Sequence, residues 1–518
     1  MYNGYDIHKK GKEEGNMNQY YEKLEPIIEK IMALQTSLTL FEWDTETQAP
    51  PEASEYTSKV IGTLSEEHQK IMISDEIKEL LKKLNTKKEQ ETLTPQEKAI
   101  VKEITIESEK MSKIPQDENK AFSILAAKAA GVWSKAKKQQ DFSIFAPVLQ
   151  EIIDYQRKFA KYRKDGRQKL YDLLLNDFEP GFTMETLDVF FEKIKTELVP
   201  FIQEIAKKKD FISKSYNYDS YPIEKQKEFC KWISGYVGFN FNRGVVMESA
   251  HPFTTNLNNH DVRITNNFDE NNLEDAIFSA IHETGHALYE FGIQDELTLT
   301  PAGTGTSMGM HESQSRFFEN VIGKSEEFWT PIYDKLVETY PEQLKKVSLS
   351  DFIKGVNRSV PSLIRTQADE LTYPLHILVR YEIEKMIIEK NVNVDKLPKF
   401  WNEKYKEYLG VEPKNDAEGI LQDIHWATGE FGYFPSYAIG SAVAAQLYFY
   451  MKNAMPFEQY LKEGNLLPIR EFLKEKIWKY GKMKTTKEIL KDITGEEFNP
   501  DYYIRYLKEK YSKIYGLQ

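Results

Sequence analysis

Two histidines separated by three residues are the most chemically informative feature of this 518-residue chain. They are His282 and His286, and Glu283 directly follows the first of them. On a helix, residues four apart lie ~40° apart around the axis and ~6 Å along it, so both imidazoles project from one face. This spacing suits two ligands of one tetrahedral zinc ion, with the adjacent carboxylate near a bound water. The motif therefore predicts a hydrolytic zinc centre with Glu283 as the general base.

A third protein ligand is needed, because catalytic zinc sites usually combine three protein ligands with one open position. A histidine close downstream is excluded, since positions 289–292 read Tyr-Glu-Phe-Gly. The helix predicted next along the chain offers Glu312, 26 residues beyond His286, and also Glu319. Spacing alone leaves these two carboxylates open as the third ligand. His311, beside Glu312, is either a hydrogen-bond partner of a ligand or of the substrate, or an ordinary surface histidine.

The histidine motif lies in a segment with clear helix signals at both ends. Asn271 or Asn272 can cap the start, and Gly292 is a natural end. Between them the helix is apolar, which places the polar motif in the protein interior. The apolar residues are Ala276, Ile277, Ala280 and Ile281.

The rest of the chain is also predicted to be mostly helical. Apolar residues recur at helical spacing over 20–40 and 74–85, and helix is expected over 94–164 and from Ser350 onward. Residues 238–268 instead contain β-branched, alternating stretches, which predict a small sheet just before the motif helix. We therefore expect a mainly α fold with a small β-sheet beside that helix.

No linker or repeat interrupts residues 17–518, so we expect one large helical domain, with two lobes as the alternative. The polar leader, residues 1–16, is expected to be disordered.

Composition excludes several classes of function. The 69 basic and 81 acidic residues give a net charge of −12, which argues against a nucleic-acid partner. The longest apolar run, residues 439–451, is shorter than the ~20 residues that a membrane-spanning helix needs, so no membrane partner is expected. Cys230 is the only cysteine, which excludes an internal disulfide. With no secretory signal recognisable, a cytoplasmic protein is the expectation.

Other polar segments have ordinary structural explanations when each is considered alone. Arg365 and Asp369 are four residues apart, which predicts an ion pair on one helix face. The Gly-Tyr-Phe-Pro sequence at 432–435 is typical of a turn with core aromatics.

Taken together, the motifs resemble the zinc carboxypeptidases of the carboxypeptidase Taq type. Weaker similarity covers most of the chain. The motifs are HPF at 251–253, DxRxT at 261–265, HExxH at 282–286, HES at 311–313, IRxxAD at 364–369 and GxxQDxHW at 419–426, which continues into GYFPSY.

The resemblance implies a metal-dependent exopeptidase that removes C-terminal residues from peptides with broad specificity. It also implies a largely helical fold that contains a cleft, and a homodimer. By this likeness His282, His286 and Glu312 are the zinc ligands and Glu283 is the general base, which decides between Glu312 and Glu319. Co²⁺ or Mn²⁺ could replace Zn²⁺ in such a donor set.

A carboxypeptidase needs a cation for the free carboxylate of its substrate, because Arg–carboxylate pairing supplies both charge and orientation. Arg365 is the first choice and Arg263 the second. His425 and Tyr433 are candidate donors to the oxyanion or the substrate backbone, and His251 is expected to support the wall of the site.

Three departures from the family pattern leave substrate preference open but do not affect the metal ligands. They are Asn-Asn-Phe at 266–268, Gln367 and Trp478.

Two rival functions remain at this point. An oligopeptidase or endopeptidase could use the same metal site, and a non-catalytic helical protein could hold a structural metal.

Overall fold

The computed structural model describes residues 18–166, 168–208 and 211–517. The expected leader, 1–16, lies outside this part of the chain. The described residues are mainly helical with one small sheet, which confirms the predicted fold class. They form two compact units. Unit 1 contains residues 18–45, Ala49–Ser112 and Leu299–Ala302, and unit 2 contains Glu46–Gln48, Lys113–Thr298 and the chain from Gly303 onward.

Unit 1 is built almost entirely of helices. Their cores use leucine and isoleucine at three- and four-residue spacing, as in the third helix, where Ile77, Leu80, Leu81 and Leu84 are buried. The helices that lie mainly in this unit are α1 (Gln19–Thr47), α2 (Ser54–Met72), α3 (Asp75–Leu84), α4 (Lys87–Gln90) and α5 (Pro95–Lys113).

Unit 2 contains the remaining helices, the sheet and every candidate site residue. Its α-helices are α6 (Gln116–Gln139), α7 (Ala146–Arg163), α8 (Leu170–Asn176), α9 (Met184–Lys193), α10 (Val199–Ala206), α11 (Ile223–Val237), α12 (Leu273–Gly292), α13 (Met308–Arg316), α14 (Glu326–Trp329), α15 (Tyr333–Thr339), α16 (Pro341–Leu344), α17 (Leu349–Val356), α18 (Tyr373–Lys390), α19 (Leu397–Leu409), α20 (His425–Thr428), α21 (Pro435–Ala454), α22 (Phe457–Lys462), α23 (Leu467–Lys476), α24 (Thr486–Thr494) and α25 (Asp501–Tyr515).

Short 3₁₀ and π segments interrupt or extend these helices. The π segments are Ile194–Leu198 and Phe317–Gly323, and the second continues directly from α13. The 3₁₀ segments are Pro51–Ala53, Phe142–Ile144, Ser215–Tyr218, Asp295–Leu297, Arg365–Gln367, Val394–Lys396 and Trp478–Met483.

The predicted sheet is present, immediately before α12. It consists of β1 (Val246–Glu248), β2 (Thr254–Asn258) and β3 (Asp261–Asn266), with β3 in the centre. β1 pairs with β3 in parallel, and β2 pairs with β3 antiparallel, so that Thr254 lies opposite Ile264. β2 is therefore an edge strand beside the motif helix.

The helix signals around the histidine motif are confirmed. The Asn272 side chain accepts from the Asp275 backbone N–H, and α12 ends at Gly292 as expected. The N-terminal end is fixed by local chemistry, since the capping side chain satisfies an amide that the first turn leaves without a partner.

Two glycines allow the helices around the motif to approach closely. A Cβ on Gly285 of α12 would lie 2.7 Å from Cα of Ser315 in α13. A Cβ on Gly440 of α21 would lie 2.6 Å from Cβ of Glu312, also in α13. Neither separation is possible for a real Cβ, so α13 can lie this close to both neighbouring helices only because these positions have no side chain.

Among the described residues, no helix combines the length and apolar character needed to cross a membrane.

Replacing Gly440 tests whether this close approach is required. We expect Gly440→Ala to lower the free energy of unfolding by about 1–3 kcal/mol, because the new methyl group overpacks against Glu312. Urea unfolding followed by circular dichroism measures the change.

Gly131→Ala on α6 is the matched control, since a Cβ there meets nothing within 4 Å. It should raise the free energy of unfolding by about 0.5–1 kcal/mol, because alanine favours the helix. Equal effects of the two substitutions would contradict a packing role for Gly440.

Candidate metal centre and active site

The two motif histidines and Glu312 meet at one point in unit 2. His282 Nε2 lies 3.8 Å, and His286 Nε2 3.5 Å, from the same oxygen, Oε2 of Glu312. The histidines lie one turn apart on α12, and Glu312 extends from the neighbouring helix α13. Two helices therefore present three potential donor atoms to a common centre.

These separations fit a divalent metal ion. With bonds of ~2.0–2.1 Å to a tetrahedral zinc ion, ligand atoms should lie about 3.4 Å apart. The three donor atoms all lie within 4.8 Å of one another, and two histidines with one glutamate match a donor set of catalytic zinc. Within the described residues this is the only such group of three.

In each imidazole, the nitrogen on the side away from the centre, Nδ1, also forms a hydrogen bond. His282 Nδ1 lies 2.8 Å from Oε2 of Glu319. Since a carboxylate only accepts, His282 donates from Nδ1 and keeps the Nε2 lone pair for a metal. Glu319, the alternative third ligand, thus lies behind His282 and fixes its tautomer.

His286 is held by a relay of two side chains. Its Nδ1 lies 2.6 Å from Nδ1 of His311, whose Nε2 lies 2.7 Å from Oε1 of Glu290. Because Glu290 accepts from His311 Nε2, His311 Nδ1 is left to accept from His286. This sequence of bonds again leaves the His286 Nε2 lone pair facing Glu312.

Glu290 is itself anchored by several donors, so the relay ends on a fixed group. Its Oε1 accepts from Thr304 Oγ1 at 2.8 Å and from the Gly305 amide at 3.2 Å, and its Oε2 accepts from the side-chain amide of Asn256.

The surroundings of the centre favour a neutral His286, through burial, and an ionised Glu312, through a neighbouring positive charge. Burial lowers the pKa of His286 to about 3, which keeps the imidazole in the form that can bind a metal. Burial alone would raise the pKa of Glu312, but the positive charge of the Arg316 guanidinium opposes this effect, and that pKa lies below its usual range.

Glu283 lies beside this cluster and outside it. The residue is 5% exposed, and its Oε2 accepts from Thr254 Oγ1, in strand β2, at 2.6 Å. Burial raises the pKa of Glu283, which makes its carboxylate a stronger base. One carboxylate oxygen of Glu283 is thus held by the sheet, and Glu283 directly follows His282 in the sequence.

The predicted Arg365–Asp369 pair on a helix face is wrong. Arg365 begins a short 3₁₀ segment, and Ala368 is extended, so the two residues do not share a helix. Asp369 instead accepts from the Leu371 and Thr372 amides, at the turn that leads into α18. Hydrogen bonds from nearby backbone amides to an aspartate side chain compete with a continued helix, and here the local turn forms instead.

Arg365 is buried and pairs with Asp423. Its Nε donates at 2.9 Å, and its second terminal nitrogen lies 2.8 Å from the same oxygen, Oδ1. The first terminal nitrogen donates to Tyr373 Oη at 3.0 Å, and the guanidinium carbon lies 4.9 Å from the centre of the Tyr437 ring.

His425 and Tyr433 belong to the same aromatic cluster. Their rings are 5.4 Å apart, and His425 Nε2 lies 3.4 Å from Tyr437 Oη. Burial, reinforced by Arg365, lowers the pKa of His425 to about 4, so the ring is neutral at pH 7. Burial and the nearby charge of Glu312 raise the pKa of Tyr433, which keeps its hydroxyl protonated.

The remaining two candidates lie in or near the sheet. Arg263 forms a bidentate pair with Asp261 on its own strand, at 2.9 and 2.8 Å, and lies opposite Thr255. His251 is exposed, and its backbone carbonyl accepts from Ser249 Oγ at 2.6 Å.

Sequence reasoning missed several of the groups around the centre. Glu290 is one turn beyond His286 on an otherwise apolar helix, and that spacing was a usable signal. Arg316, four residues after Glu312, could likewise have been found from helical spacing. Thr254 and Asp423 carried no comparable local signal, because they contact residues 29 and 58 positions away.

Comparison with known proteins agrees with this geometry. The profile of the carboxypeptidase Taq (M32) metallopeptidase family matches residues 23–511. Carboxypeptidase 1 of Bacillus subtilis (strain 168) is 43% identical over 502 residues, 97% of this chain and 100% of the relative. Thermostable carboxypeptidase 1 of Pyrococcus furiosus is 34% identical over 508 residues, 96% of this chain and 100% of the relative.

Solved structures show the same fold. The M32 carboxypeptidase of Deinococcus radiodurans R1 has a TM-score of 0.92 at 30% identity, covering 96% of this chain and 99% of that one. Metallocarboxypeptidase 1 of Trypanosoma cruzi has a TM-score of 0.91 at 33% identity, covering 96% and 100%. The resemblance inferred from the motifs is confirmed. The chain belongs to the carboxypeptidase Taq (M32) metallopeptidase family and is a metal-dependent carboxypeptidase.

Proposed function

We propose that this carboxypeptidase hydrolyses the C-terminal peptide bond of peptides with broad specificity, using a zinc ion and Glu283 as the general base. The observation that carries the proposal is the convergence of His282, His286 and Glu312 within 4.8 Å, beside the buried carboxylate of Glu283.

His282, His286 and Glu312 would hold the metal through two Nε2 atoms and one carboxylate oxygen. When bound, zinc polarises the scissile carbonyl and lowers the pKa of water towards ~7. Co²⁺ and Mn²⁺ are alternatives, because availability as well as affinity decides which metal occupies such a site.

Glu283 accepts the proton of the attacking water and passes it to the leaving amine. Its burial favours this role, since a raised pKa strengthens the base. Thr254 holds Oε2 and thereby fixes the direction of the carboxylate.

Arg365 binds the carboxylate of the substrate's last residue. Its contacts with Asp423 and Tyr373 use three of its five N–H donors, which leaves two for a substrate. Arg263 is the second candidate, and Asp261 already occupies two of its donors.

His425 and Tyr433 would donate to the oxyanion or to the substrate backbone, because the pKa shifts keep a neutral imidazole and a protonated hydroxyl at this position. His251 would form part of the wall of the site.

Compartment, domain organisation and assembly are also proposals. The single, buried Cys230 is consistent with a cytoplasmic protein. The homodimer rests on the motif resemblance. We retain a single catalytic domain over 17–518, and every candidate site residue lies in unit 2.

Replacing the proposed base separates catalysis from metal binding. Glu283→Gln should keep the metal and lower kcat by about 100- to 10,000-fold, since the amide cannot accept the water's proton. Metal content by mass spectrometry and turnover of a peptide substrate measure the two effects.

Glu296→Gln, at an exposed position of a nearby 3₁₀ segment, is the control and should retain full activity. A fully active Glu283→Gln enzyme would contradict the proposed mechanism.

The free C-terminus of the substrate distinguishes an exopeptidase from an endopeptidase. A peptide ending in a carboxylate should be shortened from its C-terminus, whereas the same peptide with a C-terminal amide should remain intact, because the proposed arginine contact is lost. Mass spectrometry of the products over time detects either pattern. Internal cleavage of the amidated peptide would support the endopeptidase alternative.

The two arginines can be compared directly. Arg365→Lys should lower kcat/KM by about 10- to 100-fold, because hydrogen bonds to a charged group contribute ~1.5–3 kcal/mol and lysine cannot reproduce the fork. Arg263→Lys should have a smaller effect. The reverse order, in variants with unchanged thermal unfolding, would move the carboxylate site to Arg263.

A further inference from the structure

Glu312 uses its two oxygens differently. Oε2 faces the imidazoles of His282 and His286, whereas Oε1 accepts from Arg316 Nε at 2.7 Å. A carboxylate with neither oxygen held can rotate about its last bond and offer one or both oxygens to a metal. The bond from Arg316 therefore fixes which oxygen faces the centre.

Arg316 also reaches the group behind His282. Its first terminal nitrogen donates to Oε2 of Glu319 at 3.1 Å, and this same oxygen accepts from His282 Nδ1. The Arg316 guanidinium thus contacts Glu312 directly, and it contacts His282 indirectly through Glu319.

The position of Arg316 in the chain makes this double contact possible. It is the last residue of α13, four residues after Glu312 and three before Glu319, where the helix continues as the π segment Phe317–Gly323. Both carboxylates consequently lie within reach of one side chain.

A third contact, with an aromatic ring, fixes the plane of the Arg316 guanidinium. Its central carbon lies 4.6 Å from the centre of the Tyr373 ring, and Tyr373 Oη accepts from Arg365. A lysine could supply the charge at this position, but it could not present two donors in a fixed plane.

We propose that Arg316 is the positioning residue of the metal centre: it orients Glu312 for one-oxygen ligation and holds Glu319 against His282. This inference rests on the proposed metal site. It makes a prediction about the sign of the change in Zn²⁺ affinity at a pH where Glu312 is ionised in every variant, because a cation that acted only through its charge would then oppose the binding of another cation. Removing such a charge would tighten metal binding, whereas removing a positioning group weakens it.

The test measures Zn²⁺ affinity in the full-length protein, stripped of metal and titrated against a competing chelator. Arg316→Met removes every donor while keeping an apolar stem, and it should weaken Zn²⁺ binding by about 10- to 100-fold. Arg316→Lys, which retains the charge and one donor group, should fall between Arg316→Met and the unchanged protein. With Co²⁺ in place of Zn²⁺, the visible absorption bands of Arg316→Met should be weaker than those of the unchanged protein. The reason is that a second oxygen of Glu312 would raise the coordination number of the ion.

Arg163→Met is the matched control. Arg163 is similarly buried and forms a bidentate pair with Asp177, at 2.7 and 2.5 Å. It also donates to the Leu173 carbonyl, and neither partner belongs to the His282, His286 and Glu312 cluster. This variant should lose thermal stability in the metal-free state but keep its Zn²⁺ affinity. If Arg316→Met does not fold, Arg316→Lys provides the comparison.

The outcomes separate this inference from the proposed function. If the unchanged protein binds no Zn²⁺, or binds it equally well after His286→Ala, the metal site itself is refuted. If the site passes that test and the Arg316 variants bind Zn²⁺ as tightly as the unchanged protein or more tightly, only the positioning role is refuted.

Discussion

The structure of this site depends on the outward hydrogen bonds of the three side chains that converge on its centre. A buried imidazole or carboxylate has two polar ends, and leaving one without a partner costs about 1–3 kcal/mol or more. His282 satisfies its outer end on Glu319, His286 on His311, and Glu312 on Arg316. Each bond removes a rotational or tautomeric alternative, so the three inner atoms face one centre before any metal arrives.

This arrangement requires close helices, and the sequence provides them with glycine. Gly285 lies inside the histidine motif itself, and its missing side chain is replaced by the backbone of α13. Gly440 has the same effect on the opposite side, against Glu312. Gly285 is inconspicuous in the sequence motif, yet α13, which carries Glu312, can pack against α12 only because Gly285 has no side chain.

Local chemistry explains which features could be predicted from sequence. The cap at Asn272, the end at Gly292 and the paired histidines follow from helix periodicity and neighbouring residues, and all are present. Glu312 and Glu319 could not be separated by spacing, because residues seven apart fall on nearly the same face of a predicted α-helix. The pairing of Arg365 was predicted wrongly, since its partner, Asp423, is 58 residues away and carries no local signal.

A continuous set of contacts joins the metal centre to the candidate carboxylate site. Glu312 bonds Arg316, Arg316 lies over the ring of Tyr373, and the hydroxyl of Tyr373 accepts from Arg365. An enzyme that removes one residue must hold the terminal carboxylate at a fixed distance from the scissile carbonyl. On the proposal that Arg365 binds this carboxylate, Tyr373 sets that distance, because its two ends contact the two halves of the site. Such a span joins main-chain groups that every peptide end carries, which agrees with the broad specificity proposed above.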